Sequence, residues 1–126
     1  MTDPMEVLYY GEDREIPCVY IAGPMRGYSE FNFPAFDEAT TRYYNMGYCV
    51  HSPAEHDRDE GFNERGLTGN EDLAELGFDI KAAIMWDLKQ VAFCDKIVLL
   101  EGWLKSSGAQ LELNLAQFLG KEVIFD

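Results

Sequence analysis

Cys18-Val19-Tyr20-Ile21-Ala22, closed by Gly23-Pro24, decides the fold class. The run is apolar at every position and does not alternate. A strand with one wet face alternates; an unbroken apolar strand is covered on both faces, as in a parallel sheet. Gly23-Pro24 ends it, because proline offers no N–H to a ladder. Downstream, Pro34 to Met46 reads as a helix. Proline suits a first helical position, Phe36, Ala39 and Tyr43 recur near helical spacing with Tyr44 and Met46 beside them, and Gly47 is a C-terminal stop. Tyr48 to His51 reads as a second short strand, ended by Ser52-Pro53. Residues 54–70 are charged and contain glycine without a clean period, so they read as a long connection, of the kind that is usually functional or disordered. A helix is expected from about Asp79 to Phe93, starting near Glu71 at the earliest, with Ile80, Ala83, Ile84, Leu88 and Val91 as its buried face. Lys96 to Leu100 reads as a strand, Ser107 to Leu119 as a helix stopped by Gly120, and Glu122 to Phe125 as a last strand.

The resulting order, β-α-β-α-β-α-β, implies parallel pairing through right-handed crossovers. The expectation is a single-domain α/β fold over residues 18–126, Rossmann-like or flavodoxin-like, with four to five parallel strands and flanking helices. Residues 1–17 read as an N-terminal extension or an extra edge strand. No internal repeat or low-complexity tract is visible.

Composition narrows the function. A chain of 126 residues, 47% hydrophobic, fits one domain with a real core. The net charge of −13, with only ten scattered Lys and Arg, repels phosphate backbones, so no nucleic-acid polymer is expected as partner. One small phosphorylated ligand can still be held by one or two local donors. Cys18, Cys49 and Cys94 are odd in number, none is spaced as a metal-binding pair, and each lies in or beside an apolar run. They read as buried thiols in a reducing cytoplasm. Neither a metal site nor a cofactor is expected. Asp3 and Glu6 stand where a secretory leader would be basic, and no apolar stretch reaches membrane-spanning length. The expected setting is therefore cytoplasmic, with no membrane partner.

In open α/β sheets ligands sit beyond the carboxyl ends of the strands. That rule selects Gly23-Pro24-Met25-Arg26-Gly27, the segment from Pro53 onward, and Glu101 to Ser107. In the first, glycine permits close backbone approach and Arg26 offers a two-pronged grip on phosphate or carboxylate; a tight turn with a solvated arginine explains the same letters. It is neither a P-loop nor a dinucleotide fingerprint. In Ser106-Ser107-Gly108-Ala109-Gln110-Leu111-Glu112, a helix opens after a strand, and its free N–H groups form an anion site. Glu112 lies in a helix apolar nearly all round, which reads as a buried helix, and a carboxylate there is paired, neutralised or functional. The competing reading puts Glu112 on an exposed stripe with Gln110, Asn114 and Gln117. Asp87 sits inside an apolar helix, where aspartate is a poor choice, though Lys89 and Gln90 could share a solvated face with it. Asp95 reads as a helix-end or turn residue. Glu55-His56-Asp57-Arg58-Asp59-Glu60 has metal-ligand types, but adjacent rather than spaced, and reads as a solvated loop. His51 and His56 are the two histidines, and no Ser–His–Asp or Cys–His arrangement follows from their positions.

Taken in order, Val19-Tyr20-Ile21-Ala22-Gly23-Pro24-Met25-Arg26-Gly27, then Asp87-Leu88 with Asp95 at a strand start, then Ser106-x-Gly108-x-x-x-Glu112 followed by Ala116 and Gly120-Lys121-Glu122-Val123 resemble the nucleoside 2-deoxyribosyltransferase family, its nucleotide N-glycosidase branch and its small phage-type relatives. The resemblance spans residues 18 to 125. It implies that Glu112 is a nucleophile at the anomeric carbon, that Asp87 contacts the sugar or protonates the leaving base, and that Tyr20 orients Glu112. It further implies that Arg26 and Ser106, with the helix start at Ser107 and Gly108, hold a 5′-phosphate. Two displacements would retain configuration. Water as acceptor makes a hydrolase, a second base a transferase. The resemblance also implies a homo-oligomer, a dimer or higher. Trp103 and Lys105 sit in a loop about one residue longer than in the nucleotide branch, and residues 54–70 have no aligned counterpart. A nucleotide-binding sensor without catalysis, or an interaction protein with an empty pocket, would use the same letters differently.

Overall fold

The computed structural model describes residues 16–126. The proposed N-terminal extension or edge strand therefore lies, but for its last two residues, outside the described part. Four strands form one parallel sheet: β1 (Cys18–Ala22), β2 (Cys49–His51), β3 (Lys96–Leu99) and β4 (Glu122–Phe125), in the order β2-β1-β3-β4. This is the flavodoxin-like order, with its switch point between β1 and β3. The register runs Val19 beside Lys96 to Ala22 beside Leu99, and Lys96 beside Glu122 to Leu99 beside Phe125. Helices α1 (Phe33–Asn45), α2 (Pro53–Asp59), α3 (Ile80–Phe93) and α4 (Ser107–Phe118) flank it.

All five residues of β1 are buried. Cys18, Tyr20 and Ala22 face α3 and α4 with Val91, Ile97, Leu99 and Leu113, while Val19 and Ile21 face α1 with Phe33, Phe36, Ala39 and Val98. The unbroken apolar run reflects cover on both faces. Asp95 does more than end a helix: its Oδ2 accepts from the Cys18 N–H at 2.8 Å, tying the start of β1 to the start of β3.

Several expectations are corrected. Residues 53–59 are a helix rather than the start of a loop. Ser52-Pro53 ends β2 and also starts a helix: the Ser52 hydroxyl accepts from the Ala54 N–H at 3.2 Å, and Pro53 occupies the first turn. The chain from 55 to 60 is not simply solvated, since Asp57 is buried. Ile80 and Ile84 are exposed rather than core, and α4 is not buried all round. Only its Ala109, Glu112, Leu113 and Ala116 side is buried, while Leu111 and Phe118 stand outside, because a helix lying on a sheet covers one side only. Finally, Cys18 and Cys94 are buried but Cys49 is exposed, because β2 lies at the edge of the sheet formed by the described residues.

Arg58 fastens α2 to its surroundings. It reaches Asp37 with Nη1 at 3.0 Å and Nη2 at 2.6 Å, and Glu64 with Nε at 3.2 Å and Nη2 at 2.9 Å, while lying over the Phe33 ring. These charges raise the guanidinium pKa and hold Glu64 below the usual carboxylate range. Arg58→Ala removes the anchor and strands a buried Glu64. We expect a loss of about 2 kcal/mol, read as a Tm lower by about 6–12 °C. Arg58→Lys should recover only part of it, since an ammonium cannot make both forked contacts.

Candidate active site

The carboxyl ends of β1 and β3 open into a cavity of about 670 Å³. That size falls within the roughly 300–1,000 Å³ typical of small-molecule sites. Its floor carries three carboxyl groups, Asp57, Asp87 and Glu112. Tyr20 is fully buried and its hydroxyl donates to Glu112 Oε2 at 2.8 Å. Asp87 lies against Glu112 and Tyr20. Asp87 Oδ1 is buried and has no hydrogen-bond partner among the described residues. A buried carboxylate oxygen left without a partner is costly and calls for one.

Burial governs the titration of this group. It raises Glu112 well above the carboxylate range, with the Asp87 charge adding to it. Burial lifts Asp87 to about 7, and Asp57 to about 7 with repulsion from Asp87 and then Glu60 added. The Tyr20 phenol is raised by burial, then by Glu112 and Asp87. Two adjacent buried carboxyls resist losing both protons, so the Glu112–Asp87 pair holds one proton near neutral pH. The two carboxyls share that proton across their contact, which raises Glu112 and lowers Asp87, while Tyr20 favours the charged form of each.

Asp57 is a residue that sequence reasoning assigned to a solvated loop. Its signal was available in Ser52-Pro53, which starts a helix whose fifth residue points inward. Because its folded pKa is raised, it burdens the fold when ionised: stability is full below the unfolded pKa near 4 and falls as pH rises through about 7. Asp57→Asn should therefore raise Tm by several degrees more at pH 8 than at pH 5, measured by thermal melts at the two values.

The walls are aromatic. Phe62 packs against Phe31, Phe33 and Phe78 with ring centroids 5.8, 5.7 and 5.2 Å away. Phe31 enters through a turn in which Glu30, Phe31 and Asn32 all have left-handed backbones, at φ 54°, 53° and 64°. Such backbone costs of order 1–3 kcal/mol per residue and collects at functional sites. Asn32 Nδ2 secures the turn by donating to the Pro24 carbonyl at 2.8 Å. The connection at 54–70, which has no clean period, thus supplies Phe62 to a wall that Leu73 and Phe78 complete.

The rim carries the cations. Gly23, Pro24, Met25 and Arg26 line the cavity, as do Lys105, Ser106, Ser107 and Gly108. Gly27 does not; with φ 88°, it donates its N–H to the Gly69 carbonyl at 2.8 Å. Gly69 is the tight point of this strap, because a Cβ there would fall 2.0 Å from the Tyr28 carbonyl oxygen. Gly23 is required by close packing on Leu100, whose Cβ would lie 2.8 Å from an added Cβ, rather than by a ligand. The Arg26 Nη2 donates to the Glu71 carbonyl at 2.7 Å, and its guanidinium makes no ion pair among the described residues. The Ser106 hydroxyl caps α4 by accepting from the Ala109 N–H at 3.1 Å, which leaves its own proton to donate. The first N–H groups of α4 have no partner within the helix, as at any helix start.

A family profile described as "Domain of unknown function (DUF4406)" matches residues 17–125. The chain belongs to the DUF4406 family. This family is grouped in the nucleoside 2-deoxyribosyltransferase-like clan. No curated protein matches the chain. Among the described residues of this DUF4406 domain, no helix is long and apolar enough to cross a membrane.

The fold thus brings Tyr20, Asp87 and Glu112 together from β1, α3 and α4, and places Arg26 and Ser106–Gly108 at the same mouth. It also brings together residues that sequence distance kept apart. Cys18, Cys49 and His51 have ligand atoms all within 4.8 Å of one another, away from this cavity. The short Cys49-x-His51 spacing along one strand was their signal.

Proposed function

We propose that this DUF4406 domain breaks the N-glycosidic bond of a nucleoside, ribo or deoxy, or of its 5′-monophosphate, with retention of configuration. One observation carries the reading. A buried carboxylate oxygen, Asp87 Oδ1, has no hydrogen-bond partner among the described residues and lies beside Glu112, whose Oε2 accepts from the Tyr20 hydroxyl.

The chemistry follows from the positions. A Glu112 carboxylate oxygen attacks the anomeric carbon and forms a C–O bond as the C–N bond breaks. The electron pair leaves on the base nitrogen system, and the Asp87 proton goes to the base. In the second half, water or another base displaces Glu112 from the sugar, and Asp87, now ionised, takes the acceptor's proton. The aromatic wall provides stacking area for the base. Arg26, Lys105 and the start of α4 provide the positive rim for a 5′-phosphate in a chain that otherwise repels anions.

The test incubates the purified protein with nucleosides and 5′-monophosphates, ribo and deoxy, with and without a free acceptor base, and follows base release by chromatography. Release by the wild type and not by Glu112→Ala supports the reading. No release from any substrate contradicts it. Thermal stabilisation by a nucleotide without release would leave a nucleotide-binding module in its place.

A further inference from the structure

We propose that Cys18, Cys49 and His51 form a zinc site that clips the edge strand β2 to β1. Cys18 and Cys49 are register partners on these neighbouring parallel strands, and His51 follows two residues later on the same face as Cys49. The three ligand atoms lie within 4.8 Å of one another, and Cys49 Sγ is 3.5 Å from His51 Nε2. Tetrahedral zinc, with Zn–S near 2.3 Å and Zn–N near 2.0–2.1 Å, separates such ligands by about 3.5–3.8 Å. The Cys49–His51 pair already has that spacing.

The histidine is oriented for the task. His51 Nδ1 lies 2.7 Å from Gln90 Oε1. An amide oxygen only accepts, so Nδ1 carries the proton, and the Nε2 lone pair is turned toward the Cys49 sulfur. A second N–H held by a carbonyl is the usual outer support of a metal-bound imidazole. Two thiols and one neutral imidazole suit zinc better than hard cations. Cys49 is exposed, which provides an entry path and a fourth position for water. The clip also meets a structural need, since β2 has only three residues and, among the described residues, is paired on one side only. No residue of the cluster lines the carboxylate cavity, so this inference is independent of the glycosidase reading.

The experiment purifies the chain under reducing conditions without chelator, measures zinc by elemental analysis, and repeats it for Cys49→Ser, His51→Ala and Gln90→Ala. Cobalt is then used as a spectroscopic stand-in. The expected result is one zinc per chain, a thiolate-to-cobalt charge-transfer band, and a Tm that falls when zinc is chelated. Cys49→Ser and His51→Ala should lose the metal and the Tm response, and Gln90→Ala should weaken affinity about 10–100-fold. Substitution at the exposed Cys49 spares the core, so loss of metal there will not reflect misfolding. Absence of zinc and of the cobalt band in the wild type would overturn the proposal. So would zinc retained equally by Cys49→Ser and His51→Ala, or a Cys18–Cys49 disulfide persisting under reducing conditions.

Discussion

Glu112→Gln is expected to abolish base release, lowering kcat/KM by about 10⁴-fold or more, because an amide oxygen cannot replace the carboxylate that forms the covalent bond. The fold should survive. Glutamine matches the shape, can still accept from the Tyr20 hydroxyl that now meets Glu112 Oε2 at 2.8 Å, and removes a buried ionisable group. Glu112 is raised by burial and by Asp87, so its ionised form burdens the native state at high pH. Glu112→Gln should therefore melt no lower than the wild type at pH 8. A dead, stable variant separates chemistry from structure. Tyr20→Phe should cost less activity, about 10–10²-fold, since it removes one hydrogen bond to the developing ester rather than the nucleophile.

Asp87→Asn is expected to have the second-largest effect, a fall in kcat of about 10²–10³-fold on ordinary nucleosides, within the range for losing a general acid. The effect should depend on the leaving group. A base already positively charged by N7-alkylation leaves without a proton, so its release should be nearly unchanged. The pH profile provides a second reading. Asp87 is held up to about 7 by burial, and wild-type activity should decline above that value as the proton is lost. Asp87→Asn should lack this alkaline limb. A variant equally impaired on charged and neutral bases would remove Asp87 from the acid role.

Much of this architecture could be read in the chain before folding. The buried run at 18–22 specified a covered parallel strand because each side chain faces apolar cover on one side of the sheet or the other. The strand–helix alternation then located the cavity mouth, and Gly23–Arg26 and Ser106–Gly108 meet there. Three things were hidden, each for a physical reason. The connection at 54–70 has no clean period because beyond its short helix it packs a single aromatic, Phe62, onto the wall beside Phe78 and satisfies its backbone through strap contacts like Gly27 to Gly69. Asp57 looked solvated because charged neighbours surround it in sequence, but a helix only seven residues long turns just part of that run inward. The Cys18, Cys49 and His51 cluster depends on strand register, which no linear spacing between 18 and 49 conveys. Conversely, the apolar letters of α4 overstated its burial, since Leu111 and Phe118 stand on the outer side of this chain.

The most direct test of the central claim is to trap the covalent intermediate. A nucleoside or 5′-monophosphate bearing fluorine at C2′ slows breakdown of a glycosyl-enzyme more than it slows leaving of a good base. Intact-mass analysis after incubation, followed by peptide mapping, should show one fluorosugar per chain, attached to Glu112 and absent in Glu112→Gln. Turnover of the parent substrate with no adduct, or an adduct on any other residue, would contradict the account.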